Sequence, residues 1–510
     1  MTQWTTELLD TFAAAEADGV EDEYLRLVGA LWKDGALTES APAAVPSVVT
    51  KLGEVGEDRV GRLLILLGLL IEAEAPVEGA VYTAARAGLD RYLALLDGRA
   101  DGEPLTLALV YLLSHFPDDR SRILAAVAGL DLGPDDRSRL DRGLQRLNPA
   151  DPAGVSLGRT WPSPAEWTTM TEADHAFDQS WISKLTPEQL AKRWYDDTVM
   201  VLTYSGGKAH WALRHGRPTV VGDTSVHRDA RERPDAGDID AEAFARHAGI
   251  LRCPDCGGGL TFGGTEIHCA RCGTEHPVRL GVLDLLPDGE SMFGGADDAM
   301  AKAASMKTVG HFYETVARPG FLRLVGSNWG GEVTPADEDR YLTERLGRVD
   351  GTVLDLGAGA GRWTAVIADA VGPERVIALD PNLAMLSWLR RRSPEVACVQ
   401  ASALALPFAD DSLAAVNCWN ALQAMPDARA AIGEVARCLR PGGIMTVMTY
   451  RLSPDPVYRY FQTTSSWPGH PDGLDLYTEE QIRSWLAEAG LTVREAATPG
   501  AMLMLTAERP

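Results

Sequence analysis

Residues 353–363 read VLDLGAGAGRW, and this stretch decides the fold of the C-terminal part of the chain. An apolar strand runs into Asp355, and three glycines follow at alternate positions, Gly357, Gly359 and Gly361. Glycines permit a tight turn and let backbone amides come close to a ligand. The pattern therefore predicts a strand, a ligand-binding turn and a helix directly after it. Because dinucleotide-binding enzymes use a similar loop for pyrophosphate, the loop alone leaves a nucleotide-binding dehydrogenase open.

Short apolar segments alternate with helical segments from about residue 340 to the C-terminus. The strand-like stretches are TVLDLGAG, RVIALD, LAAVNCW and GIMTVMTYR, and helical stretches such as RWTAVIADAV and LAMLSWLRRR separate the first of them. This alternation predicts a mostly parallel sheet covered by helices on both faces, a Rossmann-like α/β domain. The second strand ends in Asp380, 19 residues after Gly361, where a carboxylate can hold both hydroxyls of a ribose.

The order of these features resembles the class I S-adenosylmethionine-dependent methyltransferases. The D-x-G-x-G-x-G loop is similar to the first motif of that family, and LPF at 406–408 and LRPGG at 439–443 favour it over a dehydrogenase. The match spans about residues 345–450 and resembles the group that includes the ubiquinone and menaquinone biosynthesis enzymes. The resemblance implies an enzyme that uses S-adenosyl-L-methionine as its methyl donor.

The same resemblance assigns residues to the donor. It implies that the glycine loop surrounds the methionine part, that Asp380 binds the ribose and that residues 401–403 edge the adenine. The chain departs from the family here, because Ser402 stands where the family has an aspartate, and a hydroxyl makes a weaker hydrogen bond than a carboxylate. The implied cofactor-binding residues are Asp355, Gly357, Gly359, Gly361, Asp380, Ser402, Ala403 and Asn420.

Methyl transfer is an in-line displacement, so the protein mainly positions the acceptor atom. A general base is needed only if the acceptor carries a proton that must leave early. His311 and Tyr313, in the segment before the sheet, are the candidate catalytic bases; otherwise they pack over the cofactor. The acceptor side is expected to include Trp419, Asn420 and Gln423. The aromatic stretch 450–467 falls where the family inserts a substrate-covering cap.

Four of the seven cysteines form two close pairs, Cys253 with Cys256 and Cys269 with Cys272, twelve residues apart. Two residues between thiols let both point at one ion, and a glycine follows the second cysteine of each pair, where the turn needs no side chain. Four thiolates fill all four positions around a zinc ion, so the ion stabilises the fold of the segment and takes no part in catalysis. The pattern therefore predicts structural Zn²⁺, with free thiols or an iron–sulfur site as alternatives. The segment resembles the zinc ribbons of tRNA and rRNA methyltransferases.

The sequence predicts a multidomain chain with an all-α N-terminal region. Residues 1–155 carry apolar residues at helical spacing and resemble a HEAT-like solenoid, with a plain helical bundle as the alternative. Residues 156–221 are Trp-rich and predict two helices around a Gly-Gly turn, and Thr186 followed by Glu188 and Gln189 predicts a helix start. A polar linker over 222–245, the zinc ribbon over 246–287 and the methyltransferase domain over 301–510 complete the predicted order.

The formal net charge of the 510 residues is −24, which repels phosphate backbones unless one face is locally basic. We therefore expect a small molecule or a modified peptide as substrate, in bacterial secondary metabolism, and no nucleic acid. An rRNA or tRNA methyltransferase, suggested by the ribbon, and a non-catalytic binding protein with a degenerate cofactor domain are the alternatives. No secretory signal is apparent, and the most apolar run, near Leu63–Ile71, is about half as long as a membrane span and predicts a buried helix. We therefore expect a cytoplasmic protein. The sequence leaves the acceptor atom and the oligomeric state open.

Overall fold

A computed structural model describes residues 3–100, 102–148, 150, 171–220, 242–263, 266–286, 313, 318–465 and 474–510. The chain forms two compact units. The helical unit comprises Met1–Thr169, Gln179–Val221 and Ser453–Ser466, and the sheet unit comprises Met170–Asp178, Gly222–Leu452 and Trp467–Pro510. Most of the predicted domain boundaries fall outside the described residues, so they stay predictions. No helix within the described ranges combines the length and apolarity needed to cross a membrane.

Helices dominate the N-terminal part of the chain, as the sequence predicts. They are α1 (Gln3–Ala14), α2 (Val20–Leu31), α3 (Ala41–Lys51), α4 (Glu57–Glu74), α5 (Ala80–Arg86), α6 (Leu89–Ala94), α7 (Pro104–Leu113), α8 (Arg120–Val127), α9 (Pro134–Gly143), α10 (Glu172–Ile182) and α11 (Pro187–His215). Every residue of α4 from Leu63 to Ile71 is buried, which confirms the prediction of a buried helix there. The region is not entirely helical, because Trp32–Lys33 (β1) and Ala36–Leu37 (β2) pair as a short antiparallel hairpin. The HEAT-like repeat stays a prediction.

The remaining strands and helices follow in chain order. The strands are β3 (Leu260–Gly263), β4 (Glu266–Cys269), β5 (Val278–Arg279), β6 (Val282–Asp284), β7 (Val353–Leu356), β8 (Val376–Asp380), β9 (Ala397–Gln400), β10 (Leu413–Trp419), β11 (Leu439–Tyr450), β12 (Thr492–Ala497) and β13 (Met502–Glu508). The helices are α12 (Glu242–Ala245), α13 (Arg318–Leu324), α14 (Pro335–Leu346), α15 (Arg362–Val371), α16 (Leu383–Arg392), α17 (Ala428–Cys438), α18 (Pro456–Thr464) and α19 (Glu479–Glu488). Helix α12 lies inside the stretch predicted as a linker.

The central sheet has the order β12-β13-β11-β10-β7-β8-β9-β6-β5. Strands β11, β10, β7, β8, β9 and β6 run parallel, and β13 pairs antiparallel with β11. Every residue of β7, β8 and β10 is buried, as expected for parallel strands covered on both faces. The sheet confirms the predicted α/β class. Strand β6 adds a feature that the sequence did not predict, because the tail of the four-cysteine segment joins the sheet beside β9.

Helix α11 is one continuous helix of 29 residues, so the predicted pair of helices around a Gly-Gly turn is wrong. Its start was predicted correctly, because the Thr186 hydroxyl accepts from the Gln189 amide and the Gln189 side chain accepts from the Thr186 amide, a capping box. Gly206 lies where the helix packs closely: a Cβ there would be 2.4 Å from Phe461 and 2.8 Å from Tyr111. The glycine therefore serves a helix contact rather than a turn.

Helix α18 belongs to the helical unit, although its sequence lies between strands of the central sheet. Val457 and Phe461 are fully buried there, and the Asp455 carboxylate caps the helix by accepting from the amides of Val457 and Tyr458. The stretch 450–467, predicted as a substrate cap of the methyltransferase domain, is therefore divided. Its first residue, Tyr450, ends β11, and residues 453–466 contribute to the helical unit.

Candidate functional site

The glycine loop follows β7 at the carboxyl end of the parallel strands. Gly357, Gly359 and Gly361 have φ angles of +72°, +52° and +86°, which side chains rarely adopt. The Gly357 amide donates to the carbonyl of Leu379 at 2.8 Å, so the turn is tied to β8. Helix α15 then begins at Arg362, as predicted.

Asp380 ends β8 and holds the loop. Its Oδ2 accepts from the Gly359 amide at 2.9 Å, and its Oδ1 accepts from the Asn382 amide at 2.8 Å. Burial raises the pKa of this carboxyl to about 6, although the two amides oppose the shift. The carboxylate therefore fixes the backbone at the same place where the sequence predicts a ribose.

Asp355 and Gly361 stand beneath the loop rather than at its surface. Asp355 is 3% exposed and accepts from the Thr364 hydroxyl and from Asn417 Nδ2, the latter at 2.8 Å. A Cβ on Gly361 would lie 2.4 Å from Leu389, so this glycine lets α16 approach the loop. Both residues shape the turn, and a direct contact of either with a cofactor stays a prediction.

One cavity of about 630 Å³ opens beside the loop, and most of its walls are apolar. It brings together seven of the residues predicted from the sequence: Tyr313, Gly357, Gly359, Asp380, Ser402, Ala403 and Asn420. Trp419 and Gln423, expected on the acceptor side, also line it. Further lining residues were not predicted to line the site: Leu286, Phe321, Trp363, Met385, Leu404, Met425 and Leu474. His311 lies outside the described residues.

A chain of hydrogen bonds runs along the acceptor side of the cavity. The Thr449 hydroxyl donates to Gln423 Oε1 at 2.9 Å, and Gln423 Nε2 donates to Asn420 Oδ1 at 3.1 Å. Asn420 Nδ2 then donates to the Tyr313 hydroxyl at 3.3 Å. These bonds use both ends of the Gln423 amide, so Gln423 orients Asn420, and Asn420 orients Tyr313.

A buried ion pair supports Trp419. Glu338 is fully buried and pairs with Arg318, and the Trp419 indole donates to Glu338 Oε1 at 2.9 Å. The Arg318 guanidinium lies 4.3 Å from the centre of the Trp363 ring, a cation–π contact. Two aromatic walls of the cavity are thereby fixed by one charge pair. Neither Arg318 nor Glu338 was predicted, because an isolated Arg and Glu 20 residues apart have no distinctive pattern.

The four cysteines meet as the spacing predicts. Their sulfur atoms lie within 4.8 Å of one another, with Cys256 and Cys269 Sγ 3.3 Å apart. The glycine after each pair has positive φ, +69° at Gly257 and +76° at Gly273. Backbone amides point at two of the sulfurs, from Gly258 to Cys256 and from Arg271 to Cys269. Four converging sulfurs with amide donors fit a thiolate-bound zinc ion.

The four-cysteine segment docks on the LPF sequence that precedes β10. The Arg252 amide donates to the Pro407 carbonyl at 2.9 Å, and the Ala409 amide donates to the Ile250 carbonyl at 2.8 Å. Phe408 is buried and forms a β-bridge with Leu251. Together with β6, these contacts make the segment part of the sheet unit rather than an appendage.

The C-terminal part of the chain is similar to known methyltransferases. Residues 353–443 match the family model described as a methyltransferase domain. The demethylmenaquinone methyltransferase of Beutenbergia cavernae is 34% identical over 163 residues, which are 30% of this chain and 67% of that protein. The demethylmenaquinone methyltransferase of Renibacterium salmoninarum is 33% identical over 167 residues, 32% of this chain and 62% of that protein. The chain thus spans about two thirds of the length of these relatives.

Solved structures are similar to about a third of the chain, at lower identity. The geranyl diphosphate C-methyltransferase from Streptomyces coelicolor is 17% identical, with a TM-score of 0.30, over 34% of this chain and 79% of that one. A chain from the complex of the Haloferax volcanii Trm112 methyltransferase activator with a methyltransferase is 20% identical, with a TM-score of 0.29, over 34% of this chain and 94% of that one. Given the family match and the identity to the Beutenbergia enzyme, the protein belongs, through its C-terminal α/β domain, to the class I S-adenosylmethionine-dependent methyltransferases.

Proposed function

We propose that this protein methylates a small, largely apolar molecule bound in the cavity of the sheet unit. One observation carries the proposal: a single cavity contains the glycine loop and Asp380 together with Tyr313 and Trp419. A donor and an acceptor bound in one enclosed space can be aligned for in-line transfer, which is the main requirement of this chemistry.

The donor side of the cavity suits S-adenosylmethionine, which supplies an activated methyl group on a sulfonium. Gly359 leaves open space beside the loop, since no atom of the described residues beyond its two chain neighbours lies within 4 Å of the point where a Cβ would stand. Asp380 would accept from the ribose hydroxyls, and Ser402 and Ala403 would edge the adenine. Ser402 Oγ accepts from the Leu404 amide at 3.3 Å, and its hydroxyl could still donate to the adenine.

The acceptor side favours positioning over strong base catalysis. Tyr313 is held by Asn420, and we propose that its hydroxyl orients a polar group of the acceptor. His311 remains a candidate base on sequence grounds. The names of the relatives suggest a flat ring such as a quinol, and a modified peptide is the second substrate class. About two thirds of the chain lies outside the part shared with those relatives, and we propose that the whole protein acts in bacterial secondary metabolism.

The other proposals concern the surroundings of the site. We propose that Cys253, Cys256, Cys269 and Cys272 bind one structural zinc ion, and that the helical unit forms a HEAT-like surface for a carrier or peptide. None of the seven cysteines forms a disulfide, which supports a reducing, cytoplasmic location. The net charge of −24 argues against the rRNA or tRNA alternative.

Calorimetry with S-adenosylhomocysteine tests the donor site. The wild-type chain should bind it, and Asp380→Ala should weaken binding about tenfold or more, since buried hydrogen bonds to a charged group are lost. The matched control is Asp369→Ala, a change of the same residue type on α15. Absence of binding by the wild-type chain would favour the non-catalytic alternative.

Transfer of a labelled methyl group tests the acceptor class. The labelled donor is offered with hydroquinones, with a peptide extract and with ribosomal RNA, each in a separate reaction. We expect label in the small-molecule reaction and a lower rate for Tyr313→Phe with unchanged donor affinity. Label confined to RNA would overturn the proposal.

A further inference from the structure

A second group of potential metal ligands lies inside the helical unit. Glu21 in the first turn of α2, His210 near the end of α11 and Asp455 at the start of α18 each offer one ligand atom within 4.8 Å of the others. The side chains of His210 and Asp455 are 3% and 2% exposed, and that of Glu21 is 26% exposed. The cluster is therefore mostly interior and open to solvent at one side.

The fold orients these ligands toward one another. Asp455 Oδ1 accepts from the amides of Val457 and Tyr458, so Oδ2 is turned to His210 Nε2 at 2.7 Å. Glu21 Oε2 accepts from Arg62 at 3.3 Å, and its other oxygen faces the cluster. Three separate helices thus contribute one nitrogen and two carboxylate oxygens.

Two buried oxygens at this place have no hydrogen-bond partner among the described residues, Glu21 Oε1 and the Tyr24 hydroxyl. Tyr24 is fully buried, and its ring centre lies 6.4 Å from that of His210. A buried oxygen without a partner is costly, so these two point to a ligand.

Arg214 is the cation that now contacts the cluster. Its Nη1 lies 2.5 Å from Asp455 Oδ2, and its Nε lies 3.9 Å from Glu21 Oε1. The Arg214 side chain is 44% exposed, so it can turn into solvent when another cation enters. We propose that Glu21, His210 and Asp455 form a binding site for a divalent transition-metal ion, from which the ion displaces Arg214.

The ligand set indicates the kind of ion. One imidazole nitrogen and two carboxylate oxygens suit Zn²⁺, which binds such atoms at about 2.0–2.2 Å and completes four-coordination with one more oxygen. Tyr24 or a water molecule held by Tyr24 would supply that oxygen. Because the ligands come from α2, α11 and α18, the ion would join three helices of one unit.

Zinc content of the full-length protein tests the site. The chain is saturated with ZnCl₂, dialysed and measured by mass spectrometry, and we expect two ions per wild-type chain, one of them in the cysteine cluster. His210→Gln should retain one ion. The matched control is His215→Gln on the same helix, whose Nδ1 bonds the Trp211 carbonyl at 2.8 Å; it should retain two. Equal zinc content in His210→Gln and wild type would overturn the proposal.

Replacing Arg214 should strengthen zinc binding, whereas replacing His210 should remove it. Arg214→Met removes the displaced charge, so zinc should bind the second site about tenfold or more tightly. Titration with Co²⁺ separates the sites, since only thiolate ligands give a charge-transfer band. We expect Arg214→Met to bind a second cobalt ion without any increase in the charge-transfer band. If Arg214→Met binds no second ion, the proposal is wrong, even where His210→Gln fails to fold.

Discussion

Two glycines of the glycine loop differ in the space available for an added Cβ. On Gly357 a Cβ would lie 2.4 Å from the Cβ of Ala421, whereas on Gly359 it would project into open space. We expect Gly357→Ala to lower the free energy of unfolding by about 1–3 kcal/mol, because overpacking adds to the strain of positive φ. Gly359→Ala should lose less stability but most of its affinity for S-adenosylhomocysteine. Urea unfolding and calorimetry separate the two effects, and equal losses of stability would contradict this.

Asp380 makes donor binding depend on pH. Burial raises its pKa to about 6, and the protonated acid can no longer accept from both the Gly359 amide and the ribose. Affinity for S-adenosylhomocysteine should therefore be constant well above pH 6 and fall as the pH drops through 6. The folded-state pKa lies above the unfolded value, so the same group stabilises the fold at low pH, and this contribution disappears as the pH rises through 6.

Calorimetry over a pH series measures this dependence. The control is Asp380→Asn, which should bind weakly and without the transition near pH 6. A transition that persists in Asp380→Asn would assign the pH dependence to another group. Lowering the pH through 6 should weaken donor binding, although it increases the contribution of Asp380 to the stability of the fold. An affinity that rises toward low pH would therefore also exclude Asp380 as its cause.

The donor residues could be predicted because their signal is local. Gly357, Gly359 and Asp380 lie in one continuous strand–turn–helix–strand segment, and the backbone alone brings them together. Glu338 could not be found in this way, because its role depends on Arg318 and on an indole 81 residues away in sequence. A charged residue on an amphipathic helix normally predicts a solvent-facing position, and only the packed structure shows that this one is buried.

The glycine in the middle of α11 permits a test of helix packing. Gly206→Ala would place a Cβ 2.4 Å from Phe461 of α18, and we expect a loss of about 1–3 kcal/mol in unfolding free energy. Gly29→Ala in α2 is the matched control, since no atom of the described residues outside its own stretch of helix lies within 4 Å of its Cβ. That change should stabilise by up to about 1 kcal/mol through helix propensity. Thermal unfolding followed by circular dichroism compares them; stabilisation by both would refute the packing role.

The sequence predicted helices and strands well where a long run of apolar residues marks them. It predicted them poorly where contacts with other helices or strands determine the structure. Helix α4 is buried at every position from Leu63 to Ile71 and was predicted correctly, whereas Gly206 and Gly207 indicated a turn within α11. Local propensity favours a break at two glycines, but the close approach of Tyr111 and Phe461 requires a residue without a side chain at Gly206. Strand β6 has three residues, too few for an alternating pattern, and only its pairing with β9 reveals it.

At the scale of the whole molecule, the helical unit is built from discontinuous sequence. Its last helix, α18, is encoded after β11 of the central sheet. Tyr460 of that helix donates to Glu72 at 2.8 Å, and Glu72 also accepts from Tyr111 at 2.6 Å. Consecutive domain boundaries therefore cannot describe this chain. A cut between the N-terminal helices and the sheet also separates α18 from the helices with which it packs.

This arrangement determines how the chain can be divided. A fragment of residues 242–510 retains most of the sheet unit but leaves α18 without α11, so Val457, Tyr458 and Phe461 lose the packing that buries them. We expect this fragment to aggregate, because exposed contiguous apolar surface promotes association. Replacing residues 455–465 with a Gly-Ser linker should restore a monomer that binds S-adenosylhomocysteine. Size-exclusion chromatography and calorimetry compare the two fragments. If the fragment with native α18 is as monomeric as the linker version, α18 does not depend on the helical unit for its burial.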